Sequence, residues 1–294
     1  MVRTLPELIE SWDDAEVARR WLQVFPGRST VADEVEEVHE LAIGALCADR
    51  DRLAACRRRL RDLSWFMRAL NEAIARRANQ EDECTGRFWE GRFGCQKLDD
   101  AGAALACMAY VDLNPVRAGM ADTPEESRYT SVRDRTMARQ ARRRLDRAPE
   151  HPTPEQAALI AQARADAGRD AWLADIGPPA AKLNSKKDKC SGGAGSLPPL
   201  LVHLSLDHYL ELIDWTGRQI RSDKRGHLSP ELRPVLERLD LDVEAWVDNV
   251  ARYGGLFQRI AGKLERLGEL AQRAGRAWFQ GQQGARRLYS TGSG

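Results

Sequence analysis

The clearest hydrophobic rhythm in the chain runs from residue 51 to residue 79. Leu53, Cys56, Leu60, Leu63, Met67, Leu70 and Ile74 recur at intervals of three and four, which predicts one helix with a single apolar stripe. Arg52, Arg57, Arg58, Arg59, Arg61, Arg68, Arg76 and Arg77 fall mainly off that stripe. They suit either the solvated face of a packed helix or a surface for a phosphate backbone. Ahead of it, acids at Asp13, Asp14 and Glu16 predict a helix start that continues through Arg20 and Leu22 and stops at Pro26-Gly27. Residues 31–48 read as a second helix. In residues 84–97 the rhythm changes: Gly86, Gly91 and Gly94 alternate with Phe88, Trp89 and Phe93, and aromatics between glycines predict a short strand or hairpin near 86–97. The next helix is expected from Asp99-Asp100, either of which can cap it, to about Leu113.

Beyond residue 130 the pattern turns basic. Between Arg133 and Arg147 seven arginines face only Asp134 and Asp146, so an exposed helix is expected, solvated or tracking a nucleic-acid backbone. Thr153–Ala174 is alanine-rich and helical in pattern. Residues 177–199 combine two prolines, a lysine cluster from Lys182 to Lys189 and a Gly/Ser run, the composition of a linker. A compact helical unit follows, with Tyr209, Leu212, Ile213 and Trp215 on one helix and Trp246 in another segment. The expected organisation is therefore a domain over 1–148, helix and linker over 149–199, a helical extension over 200–280, and a disordered tail over 281–294.

Composition limits the chemistry. In 294 residues the formal net charge is +1, so only local charge can argue for nucleic acid. No apolar run reaches about 18 residues, which excludes a membrane-spanning helix. MVRTLPELIESW has no signal-peptide core. A cytoplasmic, nucleoid-associated location is the expectation, with no membrane and no small-molecule cofactor. The six cysteines form no CxxC pair and read as scattered reduced thiols.

The segment YVDLNPVRAG, Tyr110–Gly119, carries the sharpest candidate chemistry. On a wheel of about 100° per residue, Ala101, Ala104, Leu105, Met108 and Val111 share one face. Tyr110 points nearly opposite, beside Ala103, Ala106, Cys107 and Asn114. This predicts a tyrosine projecting from a face of small side chains, open to a bulky ligand, with Asn114 one turn on. Asn-Pro is also an ordinary way to end a helix.

The ordered set of Ser64–Met67, Asn71–Ala75, Gly86–Phe93 and Tyr110–Gly119 resembles the REP-associated tyrosine transposases, which belong to the single-tyrosine HUH superfamily. The match continues weakly through Trp12–Trp21, and through Asp214–Arg218 and Asp223–Gly226, which look like the C-terminal extension of longer members. The resemblance implies an α+β, predominantly helical chain: a truncated ferredoxin-like domain with a helical C-terminal extension. It implies that Tyr110 attacks single-stranded or hairpin DNA, leaving a 5′-phosphotyrosine and a free 3′-hydroxyl. It also implies a divalent ion, Mg²⁺ or Mn²⁺, supported by Asn114. On this reading Arg57, Arg58, Arg61, Arg68, Arg87, Arg92 and Arg117 are the DNA-binding candidates.

One departure shapes the expectation. The family holds its metal with a His-x-His strand just ahead of the segment matched by Val2–Thr4 and Trp12–Trp21. The five histidines here, His39, His151, His203, His208 and His227, include no such pair. A late start codon, a decayed gene or a split domain would each account for this. The chain is expected to cleave little or no DNA, since a tyrosine hydroxyl with a pKa of about 10 is a poor nucleophile unaided. A catalytically inactive DNA-binding remnant and a helical interaction protein are the alternatives. Loss of a sheet would leave the 53–74 stripe partly uncovered and the chain poorly soluble or partner-dependent in folding.

Overall fold

The structure is a computed structural model that describes residues 6–25, 35–176, 204–220, 236–237, 239 and 241–289. It is mostly helical, with one two-residue, two-stranded parallel sheet. No described helix is long and apolar enough to cross a membrane. The chain divides into two compact units, up to Gly94 and from Cys95 onward.

In the first unit, α1 (Pro6–Glu10), α2 (Asp14–Val24), α3 (Val35–Ala48), α4 (Arg50–Leu60) and α5 (Leu63–Glu81) follow in order. Helix α2 begins where the acids predict it, with the Asp13 carboxylate accepting from the Glu16 amide at 2.7 Å. Val17, Ala18 and Trp21 of α2 meet Ile43, Leu46, Leu53 and Cys56 of α3 and α4 in one small core. The single helix expected over 51–79 is instead two. The side chain of Asp62 accepts from the Ser64 amide at 2.7 Å and starts a new helix, because an N-cap aspartate competes with helix continuation for the local amides. The apolar stripe is divided with it. Leu53 and Cys56 are buried, whereas α5 buries none of its residues and leaves Phe66, Leu70 and Ile74 exposed.

The segment after α5 is not the expected hairpin. Residues 84–96 are turns and irregular chain, with Gly86 at φ +117°. Phe88 and Trp89 meet edge to face at 4.8 Å. Trp89 donates its indole N–H to the Asn71 carbonyl at 3.0 Å, so these aromatics lie over α5 rather than in a ladder. Of the stretch 86–97 only Lys97 is in a strand. β1 (Lys97–Leu98) pairs parallel with β2 (Ile260–Ala261).

The second unit is built around α6 (Ala101–Asp112). After it come α7 (Asn114–Arg117), α8 (Ser131–Asp146), α9 (Pro154–Asp166), α10 (Leu206–Ile220), α11 (Trp246–Leu256), α12 (Leu264–Arg273) and α13 (Gln282–Leu288). Leu105 and Ala109 of α6, Tyr209 and Ile213 of α10, Trp246 and Val250 of α11 and Leu288 of α13 belong to one core. The boundary expected at 177–199 therefore falls inside one compact unit, and the segment 200–280 is no separate accessory. The linker residues themselves lie outside the described residues. The expected disorder of 281–294 is also corrected for its first part: Ala285, Leu288 and Tyr289 are buried. That tail lacks a long apolar run, yet a seven-residue helix needs only one packed face.

The basic helix α8 differs from a plain solvated face. Arg135 is 6% exposed and donates to the Ala174 carbonyl at 2.7 Å. Arg139 pairs with Asp207, and Arg142 with Asp170. The Arg139 hydrogen bond holds the Asp207 carboxyl below its usual range.

A candidate tyrosine site under a covering helix

Helix α6 is held at both ends by carboxylates, partly buried at its start and fully buried at its end. At its start, Asp100 accepts from the Ala103 amide at 2.8 Å, the Tyr289 hydroxyl at 2.5 Å and the Lys263 amide at 3.0 Å. Burial, followed by the neighbouring Asp100 charge, pushes the Tyr289 phenol up. At its end, Asp112 is 1% exposed. It accepts from the Ser131 amide at 3.0 Å, the Ser131 hydroxyl at 2.8 Å and the Tyr209 hydroxyl at 2.5 Å. Burial pushes the Tyr209 phenol well above its ordinary value, and the Asp112 charge adds to this. Burial lowers the pKa of Arg135, against the opposing influence of Tyr209 and Asp112.

Between these anchors the helix is enclosed on more sides than the wheel predicts. Ala103, Ala104, Leu105, Ala106 and Ala109 are all at most 2% exposed, whereas Val111, expected on the apolar face, is 51% exposed. The small side chains around Tyr110 do not form an open approach for a ligand; α11 occupies that approach. The Tyr110 ring lies 5.6 Å from the Tyr253 ring, tilted by 35°. Its hydroxyl sits so close to Gly254 that a Cβ there would stand 2.8 Å from the oxygen. Only glycine admits this seat without a shift. Cys107, on the same side, is pushed up by burial, and Tyr253 donates its hydroxyl to Gln96 at 2.9 Å.

Tyr110 is half-buried, and one face of its ring meets an exposed cation. The guanidinium of Arg117 lies 4.8 Å from the ring centroid, a cation–π distance. The Asn-Pro step does not end helical structure outright. Asn114 opens the short α7, its carbonyl accepting from the Ala118 amide at 2.9 Å, and its side chain is on the exposed surface. Gly119 then takes φ +68° and releases the chain. Asn114 and Arg117 thus stand on the exposed surface one and two turns beyond the half-buried Tyr110.

The residues around Tyr110 do not by themselves fit a hard divalent cation. Such an ion takes six or more oxygen ligands with carboxylates among them. Asn114 offers one neutral amide, and Asp112 is enclosed by Ser131 and Tyr209. No group of three metal-ligating side chains occurs among the described residues. His203 and His227 lie outside the described residues.

In the first unit the arginines divide into two kinds. Arg57 donates to the carbonyls of Ile9 at 2.9 Å and Trp12 at 2.8 Å and to Asp14 at 2.9 Å, so it clamps α4 onto the α1–α2 turn and is not free for DNA. Arg61 reaches Glu10 at 3.1 Å. Arg58 and Arg68 are exposed and make no ion pair among the described residues, as do Arg87 and Arg92. Sequence reasoning missed Tyr253, Gly254 and Asp112. The paired Gly254-Gly255 inside a helical pattern was the available signal, since each glycine costs a helix about 1 kcal/mol and so marks a close approach.

No family model, curated protein or solved structure matches the chain.

Proposed function

We propose that the chain is a protein of the REP-associated tyrosine transposase type that engages single-stranded or hairpin DNA, with Tyr110 in the nucleophile's position. The exposed Arg117 guanidinium over the Tyr110 ring carries this reading. A DNA phosphodiester drawn to Arg117 would lie beside the phenol, where a charge-assisted contact can orient it. Attack by the Tyr110 oxygen on phosphorus would break the bond to the 3′-oxygen, forming a 5′-phosphotyrosine and a 3′-hydroxyl that takes up a proton. The finer assignment, a truncated ferredoxin-like HUH domain with a helical extension, belongs to the same proposal.

The proposal includes weak catalysis by the chain alone. The phenol must give up its proton to attack, and the nearest carboxylate along the helix, Asp112, is engaged by Tyr209 and Ser131. The hydroxyl also lies close beside Gly254 of α11. Mg²⁺ or Mn²⁺ would need donors beyond those around Tyr110. These points favour, as a second reading, a DNA-binding protein that has lost strand cleavage.

Incubation of the full chain with a hairpin-bearing single strand and Mg²⁺ or Mn²⁺ tests both. The expected result is a shifted, salt-sensitive complex with little or no covalent adduct. An abundant adduct lost in Tyr110→Phe would overturn the second reading, and absence of any complex would overturn both.

A further inference from the structure

The break between α4 and α5 places Arg59 and Arg68 against one tryptophan and Arg58 beside Arg59 at the recess next to it. The Arg59 guanidinium lies 4.3 Å from the Trp65 ring centroid and that of Arg68 lies 5.0 Å from it. Arg58 and Arg59, with Ala55, Asp62 and Trp65, line a recess of about 300 Å³. Asp62 is the single carboxylate in it, and its oxygen already accepts from the Ser64 amide. The neighbouring arginines behave otherwise. Arg57 and Arg61 are tied to α1 and the α1–α2 turn, and Arg76 and Arg77 pair along their own helix with Glu72 and Glu81. Arg58, Arg59 and Arg68 make no ion pair among the described residues, so their charge is unneutralised there. Stacking on an indole also holds a guanidinium plane while leaving its N–H edge available, which reduces the entropy lost when it binds an oxyanion.

We propose that the Arg58–Arg59–Arg68 cradle around Trp65 binds a backbone phosphate of single-stranded nucleic acid. This site is separate from Tyr110, and it rests on the reading of the chain as a DNA-binding protein. The Trp65 ring already carries two guanidinium groups, so the cradle reads the phosphodiester and not a stacked base. Its contribution is therefore insensitive to sequence and falls with salt.

The test uses a fluorescein-labelled hairpin-bearing single-stranded oligonucleotide and the full-length chain, with affinity measured across a salt series. Arg58→Gln/Arg68→Gln is compared with Arg76→Gln/Arg77→Gln, which removes the same charge from exposed, internally paired arginines. The first pair is expected to weaken binding at least tenfold at low salt and to flatten the log–log salt slope by ~0.7, since each phosphate contact on a single strand contributes ~0.7. The second pair is expected to change affinity by less than about threefold, as surface pairs contribute little. Equal losses from both pairs would overturn the cradle while leaving DNA binding intact. No binding by the unaltered chain would overturn the DNA-binding reading and the cradle together. Inorganic phosphate should displace the oligonucleotide no better than chloride at equal ionic strength; markedly better displacement would reassign the recess to a free anion.

Discussion

Helices α5 and α6 show that an apolar stripe and actual burial are different properties. Helix α5 carries the second half of the chain's clearest amphipathic pattern, yet none of its 19 residues is buried. Helix α6 has almost no amphipathic pattern, yet seven of its 12 residues are buried. An apolar stripe states what a helix can bury; coverage requires a partner within the chain. Alanine and glycine let other backbones approach α6 from several directions, and α11 does so closely enough that a side chain at Gly254 would strike the Tyr110 hydroxyl.

The largest effect should come from the polar anchor of α6. Asp112→Ala leaves the Tyr209 and Ser131 hydroxyls without their acceptor and removes the nearby anion from buried Arg135. The expected loss is about 3–5 kcal/mol, as for other broken buried charge networks, read from urea unfolding. A loss near that of a surface change would mean the network is open to water. Next is a direct comparison of the helices. Leu105→Ala in α6 should cost about 2–5 kcal/mol, whereas Leu70→Ala in α5 should stay within about 0.5 kcal/mol. Matching losses would show that α5 is covered in solution and would remove the contrast.

Gly254→Ala should cost about 1–2 kcal/mol, because overpacking against Tyr110 exceeds the helix-propensity gain of alanine. Adding Tyr110→Phe removes the atom nearest the new methyl, so the double variant should be less destabilised than the two single losses sum to. Simple additivity would mean that Tyr110 does not rest on α11. The mildest test is pH. Tyr209, Tyr253 and Tyr289 are all raised, chiefly by burial. Their stabilisation is fully present below the unfolded tyrosine value of about 10 and is lost as pH rises above it, because the unfolded chain then releases protons that the folded chain retains. Urea midpoints should be flat below that point and fall above it, and tyrosinate absorbance from these three of the five tyrosines should appear only with unfolding.

Much of the local structure was legible. The α2 start at Asp13, the α6 start at Asp100 and the helix start at Thr153 follow from capping residues within three positions of the amides they satisfy, whereas the helix expected to run to Ala174 ends at Asp166. The break at Asp62 was equally local and was hidden by an apolar rhythm that continues across it. At the tyrosine site, the placing of Asn114 one turn beyond Tyr110 could be read from spacing. The seat on Tyr253 and Gly254 could not, because those residues lie far along the chain.

The amino-acid order alone settles where helices start, which residues share a turn, and the balanced charge. Folding alone decides which stripe is covered and which arginines remain free. Arg57 and Arg58 are adjacent and chemically identical, yet one is tied to Asp14 and two carbonyls while the other is exposed. The reason is range. A cap is satisfied within one helical turn, whereas the Tyr209–Asp112 bond joins residues 97 positions apart, and a pattern confined to one helix contains no record of such a partner.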